Sequence, residues 1–135
     1  MTAPIDTNLE LLVRQDDPRQ FRIIDAPTPE PTTLAEGELL VRVEKFGFSA
    51  NNVTYAVLGK SAIINYFDFF PTAEEQWGSV PVWGMAVITA SRHPDLARGE
   101  RMYGYFPLAR YARLRPARLT AFGFDVDRGG LPAVY

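Results

Sequence analysis

The segment GELLVRVEKFGFSANNVTYAVLG, residues 37–59, decides which fold this chain is expected to adopt. Its first part, Glu38–Lys45, places Leu39, Val41 and Val43 at alternate positions. Because successive side chains of a strand point to opposite faces, these three residues share one face of a half-buried strand. The segment therefore begins with the clearest β-strand in the sequence.

The second part of this segment predicts a short helix after a turn at Gly47. Residues 50–58 can form one or two helical turns, with Ser49 or Asn51 as the N-cap. Gly59 is placed where a helix commonly ends. A strand, a turn and a short helix are therefore expected in that order.

The rest of the chain consists of short apolar runs separated by turn residues. Eleven prolines and ten glycines favour short strands over long helices. Further strands are predicted at residues 8–15, 20–25, 80–90, 100–106 and 111–115. Pro81 and Gly84 indicate that their strand lies at a sheet edge or contains a bulge. We expect a mainly β fold, a barrel or a sandwich, with little helix.

One long segment, residues 60–77, is irregular and rich in aromatic residues. Its aromatic side chains are Tyr66, Phe67, Phe69, Phe70 and Trp77. The simpler interpretation is a loop that folds these rings onto the core, and we favour it. The alternative is an aromatic rim over a ligand cleft, because long loops in compact domains are often functional.

Length and composition exclude several classes of function. A chain of 135 residues fits one domain, and a formal net charge of −2 offers no attraction to nucleic acid or to an anionic membrane. With no cysteine and with His93 as the only histidine, disulfides, thiolate zinc sites and multi-histidine sites are excluded. No signal peptide or membrane span is recognisable, so a cytoplasmic location is expected.

Four segments, in this order, resemble the medium-chain dehydrogenase/reductase superfamily. Residues 37–59 resemble its strand followed by an N-P-x-D-like turn and a short helix. VPVWGMAVITA, residues 80–90, resembles the superfamily's P-x-x-x-G-x-E-x-x-G-x-V strand, and GERMYG, residues 99–104, resembles its G-D-R-V-x-G turn. Residues 105–120 resemble the G-x-x-A-E-Y-x-x-V-x-P-x-x-L segment that follows. The phrases TANNxTYA, VPVWGFA and GERxYGYFP of an uncharacterised bacterial family, DUF2855, are closely similar to this chain.

The resemblance implies a GroES-like, partly open β-barrel with short helices, a single domain over residues 1–135. The superfamily binds NADP or NAD on a Rossmann domain with a Gly-rich turn. The nearest glycines, Gly123 and Gly129–Gly130, do not have the G-x-G-x-x-G spacing. We therefore expect truncation after Tyr135, with NADP or NAD bound by the full-length protein and no cofactor bound by this chain alone.

The resemblance also implies a zinc-free reductase of quinones, enones or similar carbonyl compounds, inactive without its cofactor domain. Zinc alcohol dehydrogenases carry a cysteine after the first strand and a His-Glu pair in the second motif. This chain has Ser49 and Ala50 at the first place and Trp83-Gly84-Met85 at the second. The expected partner is a small-molecule substrate, met across the missing cofactor domain, and a homodimer is left open.

The motif positions supply the candidate site. Asn51 falls on the family's Asn, Asn52 on its Pro and Thr54 on its Asp. Asn51, Thr54 and Tyr55 are predicted to be catalytic, with Asn51 hydrogen-bonding a carbonyl and Tyr55 donating its phenolic proton. Cofactor binding is predicted for Asn52 and Gly84, and the substrate pocket is predicted from Phe48, Tyr66, Trp83 and Met85. The structural alternative is a helix cap, a packed tyrosine and a bulge.

Two other function classes compete with this interpretation. A stand-alone GroES-like binding or scaffolding module of unknown ligand would have the same fold, so the fold does not separate the two. A hydrolase using Ser49 or Ser91 with His93 would need a nucleophile elbow, and the G-x-S-x-G motif is absent.

Overall fold

The computed structural model describes residues 7–127 of the chain, and this part is mainly β. The strands are β1 (Asn8–Arg14), β2 (Phe21–Ala26), β3 (Leu39–Gly47), β4 (Trp77–Ser79), β5 (Val82–Ser91), β6 (Arg101–Phe106), β7 (Tyr111–Leu114), β8 (Pro116–Thr120) and β9 (Gly123–Val126). The α-helix is α1 (Ala50–Val57), and 3-10 turns lie at Pro31–Thr33 and Tyr66–Asp68. The expected mainly β fold is confirmed, and the strands described do not close into a barrel.

The strands form two sheets and a separate hairpin. The N-terminal sheet has the order β2-β1-β4, the central sheet has the order β6-β5-β3-β7, and β8 pairs only with β9 among the residues described. All these pairings are antiparallel. The predicted hairpin of β1 and β2 is confirmed, since Val13 pairs with Phe21 beside the turn.

One face of the central sheet covers an aliphatic core. Leu39 and Val41 of β3 are fully buried there, as the alternation of the sequence predicts. From β5 the same cluster takes Val82, Ala86 and Ile88. This face excludes water from the inner residues of the strands, and its burial supplies the main driving force for folding.

A second core holds the aromatic segment. Tyr66, Phe67 and Phe69 are buried against the N-terminal sheet and α1, so the simpler interpretation of residues 60–77 is confirmed. The ring of Phe67 fits between two glycines: a Cβ added to Gly59 or to Gly78 would lie 2.1 Å or 2.3 Å from it. Those two glycines make the space that this ring fills.

The helix begins with a reciprocal cap. Ser49 is the N-cap, and its Oγ accepts a hydrogen bond from the Asn51 N–H at 3.3 Å. In return, the Oδ1 of Asn52 accepts from the Ser49 N–H at 2.8 Å. The cap satisfies backbone donors that the first turn leaves unpaired, which explains why the chain turns into a helix here.

The structure corrects three details. The strand predicted at residues 80–90 begins only after Pro81, as β5 (Val82–Ser91), and Val80 and Pro81 lie between it and β4. β5 is an inner strand and not an edge strand, because it pairs with both β3 and β6. It tolerates the proline because Pro81 precedes the strand; the irregular register expected near Gly84 lies on β3, between Val43 and Lys45.

The third correction concerns residues 116–126, which carry weak turn signals and form the β8–β9 hairpin. The prediction for Gly129–Gly130 lies outside the described residues. Within residues 7–127, no helix has the length and apolar character needed to span a membrane.

Candidate functional site

The predicted catalytic pair Asn51 and Tyr55 is joined by a hydrogen bond. The two residues are one helical turn apart on α1, and the Nδ2 of Asn51 donates to the Oη of Tyr55 at 2.9 Å. Tyr55 is buried, with 3% of its surface exposed, whereas Asn51 is exposed. The exposed Asn51 amide therefore links the hydroxyl group of the buried Tyr55 to solvent.

An aromatic cluster connects this pair to the second motif. Tyr55 packs on Tyr66 with ring centroids 4.5 Å apart and meets Tyr105 edge-on at 6.1 Å. Tyr105 in turn contacts Trp83 of β5 at 5.0 Å. We call Tyr55, Tyr66, Tyr105 and Trp83 the aromatic cluster. It brings together a predicted catalytic residue and two predicted pocket residues.

The residue that joins them, Tyr105, is buried, with 4% of its surface exposed. It lies directly across from Trp83 in the β5–β6 pairing, and residues opposite each other in an antiparallel pair share a face. The alternation of MYGYF with VWGMA in the two motifs is the signal that identifies this pair. Using that signal requires the register of the two strands, which the local sequence does not provide.

Trp83 is also fixed from its other side. Tyr103 stacks on it with centroids 5.8 Å apart and an interplanar angle of 20°. Met85 pairs with Tyr103 across β6 and with Lys45 across β3, so it lies next to Trp83 on the same face. Trp83 and Met85, both predicted to line the pocket, are thus neighbours at the margin of the cluster.

The two residues predicted to bind the cofactor are engaged with the protein itself. The Nδ2 of Asn52 donates to the Pro81 carbonyl at 3.0 Å, and its Oδ1 caps the helix. A Cβ on Gly84 would lie 2.1 Å from the Lys45 carbonyl oxygen, so close strand packing requires the glycine. These contacts do not present either residue to a nicotinamide. Their cofactor role stays a prediction.

Phe48 and Thr54 lie outside the cluster. Phe48 is 58% exposed just before the helix. Thr54 is exposed, and its Oγ1 donates to the Ala50 carbonyl at 3.3 Å. This back-bond satisfies the hydroxyl locally. Their roles as a pocket and a catalytic residue stay predictions.

A cleft of about 1040 Å³ opens between β6 and the β8–β9 hairpin. Its aromatic lining comes from Trp83, Tyr103, Tyr105, Phe106, Phe122 and Phe124. Neither Asn51 nor Tyr55 lines this cleft. Tyr55 contacts Tyr105, which does line it. The hairpin side of this cleft was missed because its strands were not predicted.

The two guanidinium groups at the cleft are paired with carboxylates. Arg101 donates from Nε to Glu44 at 3.0 Å, and this hydrogen bond lowers the pKa of the Glu44 carboxyl. Arg118 binds Asp125 across the hairpin at 2.8 Å. Because each guanidinium faces a carboxylate, the cleft is suited to a neutral ligand with an aromatic body.

The described residues provide no cluster of three or more His, Cys, Asp or Glu side chains that could hold a metal ion. His93 lies in the turn after β5, where its Nδ1 accepts from the Asp95 N–H at 3.1 Å. His93 therefore stabilises the turn.

Comparison with known structures supports the fold. The chain is similar to the crystal structure of CurA from Vibrio vulnificus, with a TM-score of 0.56 and 16% identity. The similarity covers 89% of this chain and 32% of the CurA chain, so the chain spans about a third of CurA. At this identity the likeness shows a shared fold.

Comparison with sequences identifies the family. No curated protein matches the chain. The family described as "Protein of unknown function (DUF2855)" matches residues 46–135, which include α1, the aromatic segment and both strands of the second and third motifs. The chain belongs to this family, DUF2855.

Proposed function

We propose that this chain is the substrate-side domain of a zinc-independent, NAD(P)H-dependent reductase of quinones, enones or similar carbonyl compounds, and that it is inactive alone. The observation that carries the proposal is the hydrogen bond from Asn51 to Tyr55 together with the packing that links Tyr55 to Trp83. The motif resemblance supports the same assignment, and the fold shared with CurA is compatible with it.

The Asn51–Tyr55 pair fits the acid of such a reaction. Reduction of a conjugated carbonyl compound needs a proton and a hydride, and a nicotinamide would supply the hydride when bound. Tyr55 donates its phenolic proton to the oxygen or carbon that accepts it. The hydrogen bond that Asn51 donates then stabilises the phenolate oxygen left behind. Asn51 is thus a positioning residue for Tyr55, and its exposure opens the pair to a ligand.

The aromatic cluster fits the substrate class. Trp83 and Tyr105 line the cleft, and aromatic rings prefer offset-stacked or edge-on contacts with other flat π systems. Quinones and enones are flat, conjugated and uncharged. Such a ligand suits a cleft whose guanidinium groups already have carboxylate partners.

Tryptophan fluorescence tests the proposal, because the two tryptophans lie in different parts of the molecule. Trp77 is on β4 under the guanidinium of Arg22, whose Cζ lies 4.3 Å from the ring centroid. The variant Trp77→Phe leaves Trp83 as the only reporter. Duroquinone, a monocyclic quinone that is fully methylated, should quench it saturably. Trp83→Phe, which leaves Trp77, should show no saturable quenching.

A second experiment tests whether Tyr55 acts as the acid. The proposal requires the ligand oxygen to reach the Tyr55 hydroxyl next to the Tyr105 ring. Tyr55→Phe should therefore lower duroquinone affinity about fivefold, the worth of one hydrogen bond. Tyr111→Phe, at a buried tyrosine of another cluster, is the matched control and should change nothing. NADPH alone should bind weakly or not at all. Tight NADPH binding, or equal quinone affinity in wild type and Tyr55→Phe, contradicts the proposal.

A further inference from the structure

Gly47, the last residue of β3, leaves an open strip on the central sheet directly beside Trp83. The two residues are opposite each other in the β3–β5 pairing, so a side chain at position 47 would lie on the same face as the Trp83 ring. A Cβ built on Gly47 meets no heavy atom within 4 Å. The space beside the tryptophan is therefore empty of protein.

Neither packing nor backbone conformation requires a glycine at this position. At Gly84, which belongs to the next pair of the same ladder, an added Cβ would collide with the backbone of β3. At Gly47 there is no such collision, and the positive-φ glycines of the described chain are Gly37 and Gly99. A strand glycine without a packing reason often marks the close approach of a ligand.

The Trp83 ring borders this strip on one side and packs against two tyrosine rings. Trp83 is held between Tyr105, at 5.0 Å, and the stacked Tyr103, at 5.8 Å. The chain reaches the first residue of α1, Ala50, three residues after Gly47. The strip therefore connects the Trp83 ring to the start of the helix that carries Asn51 and Tyr55.

We infer that the strip over Gly47 is a slot for the second ring of a fused bicyclic, planar carbonyl compound, and that Gly47 sets this specificity. The inference rests on the proposed function and narrows its substrate class. A single ring can lie against Trp83 without entering the slot. A fused ring system extends over Gly47, where any side chain would displace it.

The test fills the slot without disturbing the fold. In the Trp77→Phe background, Gly47→Leu is titrated with menadione, a fused bicyclic quinone, and with duroquinone, a monocyclic quinone. We expect at least a tenfold loss of menadione affinity and a change of no more than about twofold for duroquinone. Gly47→Ala should give an intermediate menadione loss. Thermal unfolding verifies that each variant folds.

The matched control is Ala117→Leu, which adds similar bulk to an exposed position of β8 outside the cleft lining and should leave both affinities unchanged. Unchanged menadione affinity in Gly47→Leu overturns the slot, while saturable Trp83 quenching would still support the proposed function. An equal loss for both quinones also overturns it, because the position would then not select ring size. If neither quinone quenches Trp83 in the parent, the proposed function fails and the slot fails with it.

Discussion

The two faces of the central sheet differ in chemistry and in how completely they are packed. On β5, Val82, Ala86 and Ile88 point into the aliphatic core and are at most 1% exposed. The residues between them include Trp83 and Met85, which are only partly buried. One strand thus supplies a dense, water-free face and an incompletely covered aromatic face. The contrast indicates that stability is concentrated on the first face, whereas the second face leaves Trp83 accessible to a ligand.

The aromatic face is also the more expensive one to bury. Its rings at Tyr55, Tyr66 and Tyr105 carry hydroxyl groups, each of which needs a hydrogen-bond partner when it leaves water. An aliphatic core that filled the same volume would avoid that cost. The polar ends are consistent with a face that is arranged for recognition of a ligand and not only for packing.

The largest expected effect is from Gly84→Val, which would break the pairing that holds the two faces in place. The new Cβ would lie 2.1 Å from the Lys45 carbonyl oxygen and 2.8 Å from the Phe46 Cα. Both contacts are with backbone, so the central strands must separate. We expect a loss of about 4–5 kcal/mol or more in the free energy of unfolding, measured by urea denaturation.

The control for that prediction is Gly47→Val on the partner strand. No heavy atom lies within 4 Å of its added Cβ, so its stability should change by less than about 1 kcal/mol. Similar losses in both variants would show that the close approach at Gly84 is not what makes the glycine necessary.

The next largest effect compares the two faces on a single strand, β6. Phe106 is 2% exposed in the aliphatic core, and Phe106→Ala should cost about 3–4 kcal/mol because a cavity replaces the ring. Tyr103 is 67% exposed, and Tyr103→Ala should cost less than about 1 kcal/mol. Thermal or urea unfolding measures both. If Tyr103→Ala proves as destabilising as Phe106→Ala, the division of labour between the faces is wrong.

The local elements of this fold were predictable because their signals are local. The alternation in residues 38–45 predicts β3, and the Ser49 cap with the Gly59 stop predicts α1 within one residue at each end. The aromatic segment was also assigned to the core correctly. In each case, residues a few positions apart contain both the pattern and its physical cause.

The arrangement of the site was only partly predictable because it depends on distant pairings. Trp83 and Tyr55 come together through Tyr105, which is more than twenty residues away from either along the chain. The roles of Asn52 and Gly84 in capping and strand packing likewise follow from contacts with Pro81 and Lys45 that the local sequence does not specify. The β8–β9 hairpin was missed because its turn lacks the usual glycine-asparagine signal.

A smaller effect separates stability from function within the Asn51-Asn52 pair. Asn52 is 5% exposed and ties the helix cap to the Pro81 carbonyl, so Asn52→Ala should lower the free energy of unfolding by about 1–2 kcal/mol. Asn51→Ala, at an exposed position, should cost less than about 0.5 kcal/mol. Urea denaturation of both variants measures the difference. Equal losses would mean that the buried clamp contributes nothing beyond an ordinary helix position.

The smallest expected effect concerns the carboxyl group of Glu10 on the N-terminal sheet. Burial of this polar group lowers stability, and no ligand is proposed to bind there. Burial raises the pKa of Glu10 above its ordinary value of 4.5. The folded protein therefore holds this proton more tightly than the unfolded chain, and stability falls as the pH rises through the interval between the two pKa values.

Glu10→Gln removes the ionisation. It should raise stability at neutral pH by about 0.5 kcal/mol or less and have no effect below pH 4. Unfolding midpoints of Glu10→Gln and of the exposed control Glu75→Gln, each compared with wild type across this range, measure the effect. A gain in Glu10→Gln that persists at low pH would show that the charge is not its cause, and a loss at neutral pH would show that the carboxylate is stabilising where it lies.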